Sequence, residues 1–217
     1  MARVVDAASD EAVRQSLSVD DWAEAALDAL ALGGLSAVAV EPLARRLGVT
    51  KGSFYWHFAN REALLLAALR RWEAQETDEI IARAQSIADP YERIVQVFKH
   101  ANSSVRAGRL NLALAAASDH AGVQAFVRRV SERRLSFLRQ CYEALGLDAE
   151  QARLWSTFAL ATFVGNLQVR RDLPEAVPAG AEFSQYVRLM IRTLIPRHPR
   201  ALAAVEPPTS VSGVTSP

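Results

Sequence analysis

Apolar residues return along this chain every three or four positions, in runs separated by glycine, proline and small polar residues. That period is the mark of amphipathic helices. The first run opens at Ser18, which can cap a helix, with Asp21 three residues later as in a capping box and Leu17 and Trp22 at the staple positions. Trp22, Ala26, Ala29 and Leu30 then share one face before Gly33-Gly34 end the helix. The alternating stretch Leu35–Val40 is the one strand-like piece and is too short to found a sheet. A short helix is predicted over 40–47, where Pro42 is tolerated in the first turn and Gly48 stops the chain. Thr50 can cap a third helix reaching His57 or Phe58, and Asn60 a fourth that continues to about Ala84.

Two short helices joined only by Gly48-Val49 form a helix-turn-helix, with Ala44, Leu47 and Val49 as the small and apolar residues at the crossing. Beyond it the pattern predicts a larger helical domain. Asp89-Pro90-Tyr91-Glu92 is a strong helix start, for a helix running to Gly108, followed by a short one at 109–117. Asp119 opens a long helix ending at Gly146, and Asp148 caps another that reaches about Arg171. Two prolines and a glycine break the chain over 172–180, and a last helix from about Ala181 to Ile195 stops at Pro196. The fold class is therefore all-α, about nine helices, with an N-terminal three-helix unit and a larger C-terminal domain. The expected divisions are a flexible arm at 1–17, the helix-turn-helix unit at 18–60, a connecting helix at 61–84, the larger domain at 85–196 and a disordered tail at 197–217.

Charge changes this picture only when it is resolved along the chain. With 25 Lys+Arg against 24 Asp+Glu the net charge is +1, which excludes a uniformly basic nucleic-acid coat. Residues 1–41 nevertheless carry a net −6, and residues 42–72, which hold the helix-turn-helix, a net +5. Cys141 is the single cysteine, so a disulfide framework and a Cys-rich zinc site are excluded, and its apolar helix suits a buried inert thiol. No apolar run reaches the roughly 18 residues of a membrane span, and Met1-Ala-Arg-Val-Val-Asp has no apolar leader. A cytoplasmic protein is expected. His57, His100, His120 and His198 form no metal pair at helical spacing, and there is no glycine-rich phosphate loop or nucleophile elbow. Neither a metal nor another cofactor is implied, and an enzyme is disfavoured.

The third helix carries the chemistry. Thr50-Lys51-Gly52-Ser53-Phe54-Tyr55-Trp56-His57-Phe58 places more aromatics on a short helix than one core can accept, so some face outward beside Lys51, Ser53 and Arg61. Small and hydrogen-bonding groups at the helix start can enter a DNA major groove roughly 12 Å wide and reach base edges. Gly52 lets backbone come close; Tyr55 can donate to a phosphate; Asn60 and Arg61 open the next helix, whose free N–H groups favour an anion. Arg45 and Arg46 point about 100° apart on their helix, so at most one faces phosphate.

From Ala44 to Leu66 the order and spacing of Gly48-Val49-Thr50, Tyr55-Trp56-His57-Phe58 and Arg61-Glu62-Ala63-Leu64 resemble the helix-turn-helix signature of TetR-type transcriptional regulators, over about residues 18–70. The resemblance implies that the first three helices bind DNA and the fourth links them to a ligand-binding, dimerising domain. It implies that Lys51, Gly52, Ser53 and Trp56 face bases or the groove. Thr50, Tyr55, His57 and Arg61, with Arg45, would hold phosphates, and Phe54 and Phe58 would be core. Where the family opens its second helix with Thr or Ser, this chain has Ala39, with Ser36 the nearest substitute.

For the larger domain, His100, Asn102, His120, Trp155, Phe158 and Asn166 are polar or aromatic residues in apolar segments, suited to line a ligand site. Ala159, Phe163 and Gly165 on one helix, and Phe183, Val187, Met190, Ile191 and Leu194 on the last, have the spacing of a dimer interface. Arg128, Arg129, Arg133, Arg134 and Arg139 read as a solvated helix face. The expected function is a homodimeric regulator, a repressor released from a palindromic double-stranded operator by a small molecule. The alternatives are a helical protein-interaction module without DNA binding and a small all-α enzyme.

Overall fold

The Ser18 hydroxyl accepts the Asp21 N–H (3.2 Å) and the Asp21 carboxylate accepts the Ser18 N–H (2.7 Å), so the expected capping box starts α1 (Val19–Gly33). The computed structural model describes residues 17–196; of the expected arm only Leu17 falls within them, and the expected tail with His198 lies outside. Trp22, Ala26, Leu27 and Leu30 form the buried face of α1. Gly34, at φ +69°, then turns the chain into a single 3-10 turn, Leu35–Ala37, where the alternating pattern had suggested a strand.

Helices α2 (Val40–Arg46) and α3 (Lys51–His57) are joined by a Schellman closure. The Val49 N–H reaches the Ala44 carbonyl (3.0 Å) and the Gly48 N–H the Arg45 carbonyl (3.2 Å), with Gly48 at φ +69°. Thr50 stands at the cap of α3, but its side chain makes no capping hydrogen bond. Asn60 does cap α4 (Arg61–Glu73), accepting the Ala63 N–H at 2.9 Å. One wide π-type turn, Ala74–Asp78, follows, and α5 (Glu79–Gln85) continues beyond it. The predicted helix 61–84 is thus a continuous rod with a π turn at its middle.

The next boundary differs from expectation. Helix α6 (Pro90–Ser103) ends before Gly108 because Ser104 captures the Ala107 N–H (3.1 Å) and opens α7 (Val105–Ala116). Gly108 lies inside α7, where a Cβ would sit 3.0 Å from Leu167 Cδ2, so the glycine permits close packing and is not a stop. Helix α8 (Ala121–Ala144) starts after His120. A second capping box, Asp148 with Gln151, opens α9 (Ala149–Asp172), and α10 (Gly180–Leu194) follows a 3-10 turn at Pro174–Ala176. With the rod counted once, nine helices stand among the described residues, as expected, and no strand. None is long and apolar enough to cross a membrane.

Two cores hold these helices. In the first, Trp22, Leu27, Phe54, Phe58, Leu65 and Leu69 pack with Leu110 and Leu114 of α7 and Val123 and Phe126 of α8, so the N-terminal helices share their interior with the larger domain. The second, around Ile94, Phe98, Phe137, Tyr142 and Leu194, fills that domain alone. Each fully buried Leu or Phe contributes about 1.5–3 kcal/mol. Arginines from three helices gather on the acidic side of α1: Arg46 of α2 and Arg106 of α7 on Asp28, and Arg71 of α4 and Arg106 on Glu24.

Gly48→Ala should cost about 1–2 kcal/mol of unfolding free energy in urea titration, the penalty of a Cβ at left-handed φ. Cys141 is buried, and burial pushes its thiol up to about 11, with Arg93 opposing. Iodoacetamide at pH 8 should therefore leave it unmodified in the native chain and alkylate it once urea unfolds the protein.

Candidate nucleic-acid interface and interior cavity

A helix of seven residues presents side chains reliably only if it is fastened down. Phe54 does this for α3. It is fully buried, meets Trp22 of α1 edge-on at 5.4 Å between ring centres, and stacks on Phe58 at 5.5 Å. With Phe54 and Phe58 turned inward, the opposite side of α3 is left to solvent: Tyr55 is 57% exposed and Trp56 88%. Thr50, Lys51 and Gly52 are exposed with them, and Ser53 and His57 are half-buried. The structure thus brings Thr50, Lys51, Gly52, Ser53, Tyr55, Trp56 and His57 onto one short element. A Cβ on Gly52 would find only Thr50 Oγ1, at 3.5 Å, so the fold itself does not need a glycine there.

The positive charge of this region is less free than its sequence suggests. Lys51 Nζ lies 2.8 Å from Glu41 Oε1, and that hydrogen bond raises the Lys51 pKa and lowers that of Glu41. Both side chains are well exposed, so the pair adds little stability. Arg46 is drawn to Asp28 and Arg71 to Glu24 and Asp20, which leaves Arg45 as the exposed arginine of α2 with no ion-pair partner among the described residues.

Arg61 has a different employment from the phosphate contact expected of it. Its Nε donates to the Val38 carbonyl (2.6 Å) and its Nη2 to the Leu35 carbonyl (2.5 Å), clasping the turn that leads into α2. Ala39 caps α2 without a side-chain bond, and Ser36 is no substitute because its hydroxyl donates to the Gly33 carbonyl (3.3 Å). The start of α2 is therefore held from α4. Arg61→Met should remove about 1.5–3 kcal/mol, the range for hydrogen bonds from a charged donor, as a lower urea midpoint.

The larger domain encloses a narrow cavity of about 80 Å³ between the rod, α6, α7, α8 and α9. Its wall is mainly Ile81, Phe98, Phe137, Leu160 and Phe163, with Glu76, Thr77, His100, Asn111 and Arg134 as the polar members. Of the six ligand-site residues expected from sequence, only His100 is in this wall. Asn102 and Asn166 instead form a buried relay in which Tyr186 donates to Asn166 (2.9 Å), Asn166 to Asn102 (3.0 Å) and Asn102 to the Phe98 carbonyl (2.9 Å). His120 precedes α8 and faces Glu62 at 3.4 Å. Trp155 packs against Tyr142 in the second core, and Phe158 is half exposed on the outer side of α9.

Sequence reasoning had placed Arg134 in solvent. Its neighbours Arg128, Arg129 and Arg133 do sit outside, paired with Glu132, Glu73 and Asp78. Arg134 turns inward, and burial brings its guanidinium down to about 10, with Glu76 opposing. The signal was available: position 134 lies one helical repeat from both Val130 and Leu138, on the buried face of α8.

The residues expected at a dimer interface divide by burial. Ala159, Ile191 and Leu194 lie in the chain's own core, where a second chain has no access, and Phe163 lines the cavity. Phe183, Val187 and Met190 are half-buried, and Gly165 is bare. Sequence reasoning missed the apolar side chains that are exposed, Leu154 and Val164 of α9 and Leu189 of α10.

Residues 23–68 match the family model of bacterial regulatory proteins, tetR family. Among curated proteins, none matches the chain. Among solved structures, a TetR transcriptional regulator from Legionella pneumophila superposes with a TM-score of 0.71 over 85% of this chain and 100% of that one, at 16% identity. A transcriptional regulator from Rhodococcus sp. Rha1 gives 0.65 over 82% and 96%, at 20% identity. A TetR-family regulator from Agrobacterium tumefaciens gives 0.66 over 81% and 96%, also at 20%. The family model spans most of α1, the helix-turn-helix and the start of α4, and the structural likeness extends the same architecture over the remaining helices. The helix-turn-helix region thus matches the tetR family in sequence, and the chain as a whole has the fold of TetR-type transcriptional regulators.

Proposed function

We propose that two copies of this chain read a palindromic operator, one α3 in each of two successive major grooves roughly 34–36 Å apart, and that a small molecule in the interior cavity releases the repressing dimer. The observation that carries the reading is the exposed row on α3, where Tyr55 and Trp56 stand outside while Phe54 and Phe58 anchor the helix. Lys51, Gly52, Ser53 and Trp56 serve as the groove side of this row. Thr50, Tyr55 and His57 serve as phosphate contacts, joined by Arg45 and by the N–H groups that Arg61 keeps after clasping the turn.

The rod supports the coupling. Its first half, α4, contributes Leu64, Leu65 and Leu69 to the core that holds α3, and beyond the π turn its second half walls the cavity with Ile80 and Ile81. The cavity is smaller than the 300–1,000 Å³ usual for ligand sites, so an occupant has to part the helices around it. Parting them displaces the rod, and with it α3, which shifts the population away from the DNA-binding arrangement. For the dimer, the outer side of α9 with Leu154, Phe158, Val164 and bare Gly165, beside Leu189 of α10, offers an apolar surface that a second copy would cover.

Selection of DNA sites from a random pool by the purified chain should yield a palindromic consensus; recovery of no sequence would favour the protein-interaction reading. On that site at fixed salt, Lys51→Ala should cost about 1–3 kcal/mol, whereas Tyr55→Phe should lower affinity almost equally for all sequences. Gly52→Ala separates fold from function. It should raise helix stability by about 0.5–1 kcal/mol while weakening operator binding, because the added methyl has room in the free protein and not against DNA.

A further inference from the structure

Arg134 is a cation held by neutral partners. Its Nε donates to Thr77 Oγ1 (3.1 Å), Nη1 to Asn111 Oδ1 (3.0 Å) and Nη2 to the Glu76 carbonyl (3.0 Å), and the guanidinium lies 5.5 Å from the centre of the Trp72 ring. Among the described residues no carboxylate stands within ion-pair distance of it, although Arg128, Arg129 and Arg133 on the same helix each have one. A guanidinium carries five N–H donors. Three are used, which leaves one on Nη1 and one on Nη2. A largely buried charge without an ion-pair partner is costly, and here it lies in the wall of an apolar cavity.

We infer that the cavity takes a small molecule with a single carboxylate and an apolar body, the carboxylate held in a two-pronged contact by the remaining N–H groups of Arg134 and the body lying against Phe98, Phe137 and Phe163. The inference rests on the reading of this chain as a ligand-responsive regulator and names the chemical class of the effector. A planar carboxylate matches the guanidinium fork and supplies the ion-pair partner that Arg134 otherwise lacks among the described residues. Glu76, the one acidic residue in the wall, is too far from Arg134 to pair with it but near enough to oppose a second negative charge. That disfavours phosphates and dicarboxylates. The site also bears on the rod directly, because two of the three groups already bound to Arg134, the Glu76 carbonyl and Thr77, belong to the π turn.

The test is calorimetric titration of the full chain with benzoate and octanoate, each against the alcohol of the same body, benzyl alcohol and 1-octanol. At least one acid should bind about tenfold or more tightly than its alcohol, the worth of a charged hydrogen-bonded contact. Arg134→Gln should abolish that preference while leaving alcohol binding in place, Arg134→Lys should keep part of it, and Glu76→Gln should strengthen acid binding. A purely structural Arg134 would alter stability without changing the ratio of acid to alcohol affinity. Equal binding of acid and alcohol, no binding of either acid, or a preference that survives Arg134→Gln overturns the inference. Should Arg134→Gln fail to fold, Glu76→Gln decides, and acid affinity that does not rise overturns it. Operator binding is measured in parallel without acid. A chain that binds its palindrome but does not prefer acids loses only this inference, and one that prefers acids but binds no DNA loses only the regulator reading.

Discussion

A seven-residue helix has almost no stability of its own, so what α3 presents depends on the burial of Phe54 between Trp22 and Phe58. That one anchoring fixes the helix's rotation. With Phe54 and Phe58 inward, Tyr55 and Trp56 have to face out, and Lys51, Gly52 and Ser53 follow at the helix start. A substitution at Phe54 would therefore act on the outward row without touching any member of it. The same core contains Leu65 and Leu69 of the rod and Leu110 and Phe126 of the larger domain, so the outward row is positioned by contacts reaching far into the chain.

The electrostatics are organised around α1. Four of the eight acidic residues of positions 1–41 lie on this helix, and two of them act as the main internal partners: Asp28 takes Arg46 and Arg106, and Glu24 takes Arg71 and Arg106. Much of the +5 of residues 42–72 is thereby tied into the fold, with Arg61 clasping carbonyls and Lys51 leaning on Glu41. A sequence count of charge measures what a segment carries. What it can offer a partner is the remainder after internal pairing, and here that remainder is small and local.

The rod is the physical link between the two halves. An uninterrupted α-helix would carry α4 into α5 with a fixed rotation, but the π turn at Ala74–Asp78 widens it by a residue and exposes carbonyls that need other donors. Arg134 supplies one of those donors to Glu76, while Arg129 and Arg133 of α8 grip Glu73 and Asp78 on either side. Three arginines of one helix thus brace the irregular turn, and Arg134 also looks into the cavity.

Local chemistry made much of this legible in advance. Capping boxes at Ser18–Asp21 and Asp148–Gln151, the Asp89-Pro90 start and the Gly48 stop are decided within four or five residues, and these boundaries stand as read. The spacing from Gly48 to Leu64 likewise carries the likeness to the tetR family model, because a helix-turn-helix is itself a local object. Burial is different, because it depends on which helices meet. Periodicity could not show that Ser104 would take the Ala107 N–H and end α6 early, nor that Ile191 and Leu194 would be spent on the chain's own core while Leu154 and Leu189 stayed outside. Nor could residue type separate Asn102 and Asn166, satisfied by each other and by Tyr186, from residues that line a cavity. The sequence by itself determined the number of helices, the ends that carry a cap or a glycine stop, and the helix-turn-helix motif, since those are set by neighbours along the chain. Only the tertiary structure decided which charges remain free, which faces are covered and that Arg134 points inward, since those are set by neighbours in space.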